Sequence, residues 1–383
     1  MSAPRDDQRA PALRCAELYL PSDETNASVH DRAEAQRSLV ATLERAEPPD
    51  WAELTAAVDI LLLEADAQHA AQRLQTPVLR PSLVYIDPPY ASHREYIFAQ
   101  THPVDGSRVE RVAFSDRWDG GLDAYVDALA PVIEAIYVAL QDEGSFLLHV
   151  DPRGSPYLSV RCDRIFGMGA RLAKKHAPGF RNELVWSYGL GGSSPREWPK
   201  KHDTILWYTK GSGWYFEPPM IPATSNRMRG QLKKQPDVIE IPSINNMARD
   251  RTGYPTQKPL ELLELLVGAH SEASARVADL FSGSGTTALA AARLGRQAIA
   301  ADISSDAIAV ARTRLVAAGF SVAVLRPEAD GHAPPQALDE GAVVDEREGA
   351  VLGGCFVVGT AHAVTHVLRR DIEGRERVGM VPR

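Results

Sequence analysis

The sequence of this 383-residue chain predicts an α/β fold, in which helices cover both faces of a mostly parallel, twisted sheet. Short apolar runs rich in β-branched and aromatic residues alternate with longer segments of helical periodicity, and several short runs end at an Asp-Pro or Gly turn. The predicted strands cover residues 82–86, 145–150, 182–188, 204–208, 277–281 and 297–301. The predicted helices cover residues 125–140, 158–166, 259–270, 286–294 and 307–318.

The segments outside this alternation predict extensions. Asp50-Trp51-Ala52-Glu53 resembles a helix-capping box, and the residues after it, including the apolar stretch 58–63, fit a continuing helix. The predicted organisation is a mostly helical extension at 1–81, a core at 82–320 with an irregular insert at 211–252, an acidic linker at 321–349 and a short β-prone extension at 350–383.

The composition is ordinary for a globular protein, with 44% hydrophobic and 24% charged residues. No apolar run approaches the roughly 18 residues that span a bilayer, and the polar first residues lack the apolar centre of a signal peptide. The three cysteines are far apart, and the histidines show no spacing typical of metal ligands. We therefore expect a cytoplasmic protein with no membrane partner and no metal.

Positive charge is concentrated in the middle of the chain. The net charge is −8, yet residues 161–258 contain 17 Lys and Arg against 8 Asp and Glu. Such a segment is typical of a nucleic-acid contact, although an ordinary solvated surface explains the charge equally well. The candidate contacts are Arg196, Lys200, Lys201, His202, Arg227, Arg229, Lys233 and Lys234.

Residues 277–288 predict a strand, a glycine turn and the start of a helix. Gly283 and Gly285 allow a sharp turn and the close approach of a ligand, at which the helix points free N–H groups. Asp302, at the end of the next predicted strand, can accept both hydroxyls of a ribose. The pattern fits a nucleotide-type ligand, including a nicotinamide dinucleotide, or a purely structural turn. Asp279 favours S-adenosylmethionine, because a carboxylate there can face the methionine ammonium but would repel a pyrophosphate.

Asp87-Pro88-Pro89-Tyr90 follows a buried-type strand, which predicts a position at the carboxyl edge of the sheet. An exocyclic amino group of a base is a poor nucleophile, because its lone pair is delocalised into the ring. Two acceptors on its hydrogens would free that lone pair, and the Asp87 carboxylate and the Pro88 carbonyl can supply them. The prolines make the turn rigid, and Tyr90 offers a flat face for an extruded base. In isolation the tetrapeptide could instead be a rigid surface turn.

Together, Asp87-Pro88-Pro89-Tyr90 and Phe281-Ser282-Gly283-Ser284-Gly285 resemble the two signature motifs of the amino-methyltransferases of bacterial restriction–modification systems. The catalytic motif comes first, and the cofactor motif follows about two hundred residues later. This order is similar to the circularly permuted β class, whose target-recognition region lies between the two motifs. Residues 180–186, 201–210 and 254–260 resemble further segments of that family.

The resemblance implies a Rossmann-like, S-adenosylmethionine-dependent methyltransferase fold, with a catalytic part at 82–210, a target-recognition insert at 211–252 and a cofactor-binding part at 253–320. It implies direct methyl transfer to the exocyclic N6 of a flipped-out adenine in double-stranded DNA. The implied catalytic residues are Asp87, Pro88, Pro89 and Tyr90. The implied cofactor-binding residues are Asp279, Phe281, Ser282, Gly283, Ser284, Gly285, Thr286, Thr287, Asp302, Ile303, Thr256, Gln257 and Lys258.

Several alternatives stay open. In this family an aspartate at Asp87, rather than a serine, more often accompanies adenine, so cytosine N4 is the near alternative. RNA as substrate, a catalytically inactive DNA-binding subunit and a nicotinamide oxidoreductase are further alternatives, and the last leaves Asp87 and Asp279 unexplained. A homodimer and a restriction or defence-system partner are compatible with the resemblance. One departure is Ala91-Ser92-His93-Arg94, where the family usually has Asn-Thr-Gly.

Overall fold

The computed structural model describes residues 13–19, 50–101, 108–174, 176–189, 195–244, 250–327, 349–352, 355–358, 366–370 and 376–380. The chain divides into two compact units, one formed by Met1–Glu64 with Arg312–Arg383 and the other by Ala65–Ala311. No helix among these described residues is long and apolar enough to cross a membrane.

The strands are numbered in chain order. They are β1 (Leu13–Tyr19), β2 (Ile60–Glu64), β3 (Leu83–Ile86), β4 (Glu95–Thr101), β5 (Arg108–Ser115), β6 (Ser145–Val150), β7 (Gly179–Ser187), β8 (His202–Thr209), β9 (Met220–Pro222), β10 (Leu232–Lys234), β11 (Val238–Glu240), β12 (Arg276–Asp279), β13 (Gln297–Asp302), β14 (Val322–Pro327), β15 (Gly349–Leu352), β16 (Cys355–Val358), β17 (His366–Arg370) and β18 (Glu376–Met380).

The α-helices are numbered in the same way. They are α1 (Trp51–Ala57), α2 (Ala67–Arg73), α3 (Gly121–Ala139), α4 (Ser155–Phe166), α5 (Leu260–His270), α6 (Thr286–Arg293) and α7 (Ser305–Ala317). Short 3-10 helices lie at Pro77–Leu79, Gly169–Leu172 and Asn226–Met228.

In the unit Ala65–Ala311, a sheet of strand order β11-β7-β8-β6-β3-β12-β13 forms the centre. The neighbours β6, β3, β12 and β13 run parallel, β11 runs parallel to β7, and β8 runs antiparallel to both β6 and β7. Every residue of β3 and β6 is buried, which explains why β3 is a continuous apolar run and β6 is mostly apolar rather than alternating. The predicted α/β fold with a mostly parallel sheet is confirmed.

The direction of these strands brings the predicted motifs to one edge of the sheet. The parallel strands β3, β12 and β13 end at Ile86, Asp279 and Asp302 respectively. The tetrapeptide Asp87-Pro88-Pro89-Tyr90 and the glycine turn therefore follow neighbouring strands at their carboxyl ends, where open α/β sheets bind ligands. Because β8 is antiparallel to β6, its first residue, His202, lies at the same edge.

In the other unit, β2 pairs in parallel with β14, and β14 pairs in antiparallel fashion with β1. Two ion pairs help to hold this sheet together, because Arg312 and Arg326 both place a guanidinium nitrogen 2.6 Å from the buried Glu17 carboxylate. These two opposite charges satisfy an acidic group that burial alone would destabilise.

Two predictions about the flanking segments were wrong. The capping box at Asp50 does begin helix α1, since its carboxylate accepts from the Ala52 and Glu53 amides at 3.0 Å. The helix ends at Ala57, however, and the apolar stretch that we expected to continue it is strand β2. A short run with only one polar position, Asp59, does not reveal its period, and burial on both faces favours a strand. The predicted linker at 321–349 also begins with strand β14.

The hairpin of β4 and β5 was not predicted at all. Its register pairs Glu95 with Ser115 and Thr101 with Arg108. The charged residues Arg108, Glu110 and Arg111 of β5 interrupt the apolar pattern that identifies a strand, and only the β-branched and aromatic residues Val109, Val112 and Phe114 could have indicated it. For 350–383, the four short strands β15 to β18 agree with the β-prone character that we expected.

Candidate active site

The carboxyl edge of the sheet in Ala65–Ala311 opens into a cavity of about 380 Å³. This volume is within the range of about 300–1,000 Å³ that is typical of small-molecule sites. Both predicted motifs line it. The predicted site residues in its wall are Asp87, Pro88, Pro89, Tyr90, Thr256, Gln257, Lys258, Asp279, Phe281, Ser282, Gly283, Ser284, Thr286, Thr287, Asp302 and Ile303.

Gly285, the one predicted cofactor-binding residue outside the cavity wall, has a structural position in the glycine turn. It precedes helix α6 as the N-cap with φ 72°, in the left-handed region that favours glycine. Gly283 also has a positive φ, 48°, and a Cβ built on it would lie 3.0 Å from the ring of Tyr254. The turn therefore needs glycine at both positions. At Gly285 the reason is the backbone conformation, and at Gly283 it is the backbone conformation together with the nearby Tyr254 ring.

Asp279 is buried at the wall of the cavity, with 4% of its surface exposed. One carboxylate oxygen accepts from the Phe281 amide at 3.0 Å and the other accepts from the Thr287 hydroxyl at 2.5 Å. Burial is the main cause that raises the pKa of Asp279 to about 7, with a contribution from the nearby charges of Asp87 and Asp302 and against the lowering effect of the two hydrogen bonds. A cationic group in the cavity would favour the ionised form of this carboxylate.

Asp302 is held by the glycine turn itself. Its carboxylate accepts from the Gly283 amide and from the Ser304 amide, each at 2.9 Å. Burial raises the pKa of Asp302 above its ordinary value despite these two bonds. Ile303, the next residue, is 74% exposed. The end of β13 therefore presents a fixed carboxylate beside a bare apolar side chain.

At the catalytic tetrapeptide, both oxygens of the Asp87 carboxylate have partners. The Tyr90 hydroxyl donates to one oxygen and the Lys258 ammonium donates to the other. The Lys258 nitrogen also lies 5.3 Å from the centre of the Tyr90 ring. Because a carboxylate can accept about four hydrogen bonds, an amino group that uses Asp87 as its acceptor can share it with these two donors or replace one of them.

The position of Lys258 is set by the segment before it. The Gln257 side-chain oxygen accepts from the Thr252 amide at 2.8 Å and from its hydroxyl at 2.7 Å, and the Gln257 amide donates to the Asp250 carbonyl at 2.8 Å. Thr256 has a φ of 61°, which is unfavourable for a β-branched residue. These bonds hold a strained turn that directs Lys258 into the cavity.

The charges around the cavity are strongly unequal. Among the described residues that line it, Lys258 is the only cation, whereas Asp87, Asp116, Asp279 and Asp302 are four carboxylates. The cavity is therefore suited to a ligand with net positive charge. A pyrophosphate-bearing dinucleotide would meet repulsion from most of these groups.

Asp116 holds the backbone that follows the tetrapeptide. It is 1% exposed, and its carboxylate accepts five hydrogen bonds. The donors are the amides of Tyr90 (3.1 Å), Ala91 (2.8 Å) and Ser92 (2.8 Å), the Ser92 hydroxyl (2.6 Å) and the Trp118 indole (3.2 Å). Ala91 and His93 both have positive φ, 53° and 58°. The segment Ala91-Ser92-His93-Arg94, which departs from the family pattern, thus lies in a loop that is held by the Asp116 carboxylate. The sequence did not indicate this arrangement.

Replacing Asp116 with Ala is expected to lower the free energy of unfolding by about 3 kcal/mol, because several buried donors lose their acceptor at once. Asp116→Asn should have a smaller effect, since the amide oxygen still accepts some of these bonds. Urea titration followed by tryptophan fluorescence would measure both changes. Asp119→Ala, at an exposed aspartate three residues away, is the control. Equal midpoints for Asp116→Ala and the control would contradict this role for Asp116.

A buried polar chain lies behind Tyr90. The Tyr85 hydroxyl is 2.7 Å from the His149 Nδ1, and the His149 Nε2 is 3.3 Å from the Asp203 carboxylate. Burial raises the pKa of Asp203, but His149 and Lys258 outweigh this effect and hold it below its ordinary value. The His149 ring lies 6.1 Å from the Tyr90 ring, centre to centre. No local pattern in the sequence indicates these three polar contacts, because Tyr85, His149 and Asp203 come from three separate strands.

The unpredicted hairpin supplies an aromatic wall of the cavity. The rings of Tyr96 and Phe114 stack at 4.6 Å, and those of Phe98 and Tyr254 lie 5.9 Å apart. Tyr96, Phe114 and Tyr254 line the cavity. Tyr254 and Pro255 belong to the segment 254–260 that the family resemblance had indicated, and the lining residues that sequence reasoning missed are Tyr85, Tyr96, Ala113, Phe114, Ser115, Asp116 and Leu263.

The candidate DNA contacts fall into two groups outside the cavity wall. Arg196, Lys200, Lys201 and His202 lie in or directly after the loop between β7 and β8, at the catalytic edge of the sheet. The second group lies on the β9–β10 hairpin or its turn. Its members are Arg227, Arg229, Lys233 and Lys234.

Comparison with known proteins gives a family and distant relatives. The model of the DNA methylase family N6_N4_Mtase matches residues 82–313. The type II methyltransferase M.ScaI of Streptomyces caespitosus is 30% identical over 156 residues, which are 37% of this chain and 51% of that protein. The DNA adenine methyltransferase YhdJ of Escherichia coli (strain K12) is 24% identical over 269 residues, 66% of this chain and 82% of that protein.

Among solved structures, the M1.HpyAVI–SAM complex is similar with a TM-score of 0.47 and 19% identity, covering 67% of this chain and 98% of that one. The chain spans about half the length of M.ScaI. The family model covers more than half of the chain and includes the tetrapeptide, the glycine turn and Asp302. The chain belongs to the N6_N4_Mtase family of DNA methylases.

Proposed function

We propose that this chain is an S-adenosylmethionine-dependent DNA methyltransferase that methylates the exocyclic N6 of adenine. The observation that carries the proposal is the single cavity whose wall includes both Asp87 and the glycine turn at Gly283. A methyl donor and its acceptor must meet in one enclosed space, because the transfer is direct. Membership of the DNA methylase family supports the same reaction class.

The residues of the cavity fit S-adenosylmethionine. The buried Asp279 carboxylate would pair with the ammonium of the methionine part, and the fixed Asp302 carboxylate would accept from the ribose hydroxyls. The exposed side chain of Ile303 would cover the adenine ring. The excess of carboxylates suits the net positive charge of this cofactor. When bound, the cofactor supplies an electrophilic methyl group on a sulfonium.

The tetrapeptide prepares the target amino group. The Asp87 carboxylate accepts one amino hydrogen beside or in place of the Tyr90 and Lys258 donors, and the Pro88 carbonyl accepts the other. These two acceptors raise electron density on the nitrogen at the moment of transfer. Tyr90 stacks against the extruded base, which contributes roughly 1–3 kcal/mol. Asp87 then takes the proton that the methylated nitrogen loses.

The two basic groups at 196–202 and 227–234 are proposed to contact the phosphates of double-stranded DNA. Arg196 and Lys200 are exposed beside the catalytic edge, and Arg227 and Arg229 are exposed on the hairpin turn. Although the chain as a whole is acidic, these positive charges form a local surface that can bind the phosphates of a polyanion. An aspartate at Asp87 favours adenine as the target within the family, and cytosine N4 is the alternative outcome.

The affinity for the cofactor is expected to rise about five- to tenfold between pH 6 and pH 7.5. In the ligand-free chain, Asp279 has a pKa of about 7, so at pH 6 it must lose a proton before it can pair with an ammonium. At pH 7.5 most of it is already ionised. Isothermal titration calorimetry in two buffers of different ionisation enthalpy would detect nearly one released proton at pH 6. Asp279→Asn should bind weakly at both pH values, and an unchanged affinity of the parent chain would contradict this prediction.

The proposed function is tested by incubating the purified chain with duplex DNA and methyl-labelled S-adenosylmethionine, followed by digestion to nucleosides. Label in N6-methyladenosine is the expected result. Label in N4-methylcytosine would correct the target and retain the enzyme class. Absence of transfer to any DNA, or transfer to RNA in preference to DNA, would overturn the proposal. Sequencing DNA from producing cells with detection of modified bases then gives the recognised site.

A further inference from the structure

The loop between β7 and β8 carries an unusually exposed aromatic side chain. Trp198 is 92% exposed, which is the largest exposure of any large apolar side chain among the described residues, and Ile303 follows at 74%. Ile303 lies at the wall of the cavity, where a ligand would cover it. An indole ring gains substantially from leaving water, so a partner that covers Trp198 would gain affinity from it.

The base of this loop stands next to the catalytic tetrapeptide. The ring of Tyr90 lies 6.1 Å from that of His149, which lies 5.5 Å from that of Trp186, and the Trp186 ring lies 5.0 Å from that of Tyr188. The Tyr188 amide donates to the Lys201 carbonyl at 3.2 Å and closes the loop. Trp198 is therefore carried by a loop whose base is three ring contacts from the residue proposed to stack on the target base.

The chemistry around Trp198 indicates what covers it. Arg196 and Lys200 are exposed on either side, and the half-buried Lys201 donates to the Gly189 carbonyl at 3.2 Å. Glu197 is the one acid in this stretch, and its carboxylate lies 3.1 Å from the Lys200 ammonium. A flat apolar ring between cations complements a nucleic-acid duplex, which offers phosphates outside and aromatic faces inside. A hydrocarbon surface would not explain the cations.

We propose that Trp198 enters the DNA duplex beside the target base and fills the space that the extruded base leaves. This inference rests on the proposed function and adds the residue that supports base extrusion. Extrusion breaks stacking on both sides of the target, and an indole in the vacated position restores contact with the neighbouring bases. Trp198 is thus a positioning residue, because it acts through the duplex and not on the reacting atoms.

The test compares two oligonucleotides that carry the recognised site, one with the target base paired and one with the target base opposite an abasic position. On the paired duplex, Trp198→Ala should lower kcat/KM about 10- to 100-fold, and on the second substrate less than about threefold, because the target is already loosened. Trp198→Phe should keep most of the activity on both. Tyr157→Ala, at a 52% exposed ring on α4, is the matched control and should change neither value.

Each result has a distinct meaning. An equal loss on both substrates would overturn the inference, because it would show a general contact and not support of extrusion. If Trp198→Ala caused no loss of activity on the paired duplex, the inference would also be overturned. If Trp198→Ala instead abolished binding to a protein partner, the loop would be a protein contact. If the parent chain methylates the paired duplex, both of these failures concern Trp198 alone. If the parent chain methylates neither duplex, the proposed function itself fails.

Discussion

Replacing Asp87 with Asn is expected to lower the rate of methyl transfer about 10²- to 10³-fold, a loss typical of removing one preorganised charge-stabilising group. The neutral amide accepts less of the charge that develops on the amino nitrogen, and its NH₂ group opposes the donors Tyr90 and Lys258. The dissociation constant of S-adenosylmethionine should stay within about threefold, because Asp87 acts on the acceptor. Single-turnover kinetics and calorimetry would measure the two quantities separately.

The matched control for this substitution is Asp127→Asn. Asp127 lies on α3 with its side chain 74% exposed, and its carboxylate pairs with Arg161 at 2.9 Å, outside the cavity. It should leave the transfer rate unchanged. If Asp87→Asn retained the rate of an active parent chain, the tetrapeptide would have no catalytic role. If the parent chain itself failed to methylate DNA, the inactive-subunit alternative would gain support.

Replacing Lys258 with Met is expected to lower the transfer rate at saturating cofactor about 10- to 100-fold. The ammonium is the only cation among the described residues of a cavity wall with four carboxylates. Without it, the Asp87 carboxylate loses one of its two hydrogen-bond donors and faces the other carboxylates of the wall with no cation beside it, so it is held less firmly in position to accept from the target amino group. Lys258→Arg should recover part of the rate, since it restores the charge.

This experiment also separates two roles for Lys258. The sequence predicted a cofactor-binding residue, which requires a weaker affinity for S-adenosylmethionine and an unchanged rate at saturation. The contact with Asp87 requires the opposite pattern, an intact affinity and a slow transfer step. Lys174→Met, at an exposed lysine away from the cavity, serves as the control. If only the affinity for S-adenosylmethionine changed, Lys258 would have the cofactor-binding role that the sequence predicted.

The parts of the site that the sequence predicted are those encoded locally. Asp87 and Asp279 each stand at the end of a short buried strand, and parallel strands bring their carboxyl ends to one edge without further information. Gly283 and Gly285 are required by the backbone of a single turn. These features depend on residues that are close together in the chain, so the residue types at these positions are enough to predict them.

The missed parts depend on contacts between distant segments. Asp116 lies 26 residues after Tyr90 and holds its amide through the fold of a hairpin with charged residues on one strand. The chain of Tyr85, His149 and Asp203 joins three strands, and no spacing in the sequence links them. At 58–63 every residue except Asp59 is apolar, and only the sheet decides between helix and strand.

The surplus of carboxylates in the cavity has a consequence for turnover. Loss of the methyl group converts a sulfonium into a neutral thioether, so the spent cofactor carries one positive charge fewer than the fresh one. A wall with four acids and one ammonium holds the spent form less firmly. The arrangement that attracts the donor also speeds its departure after use, and we expect the chain to be resistant to inhibition by its own by-product.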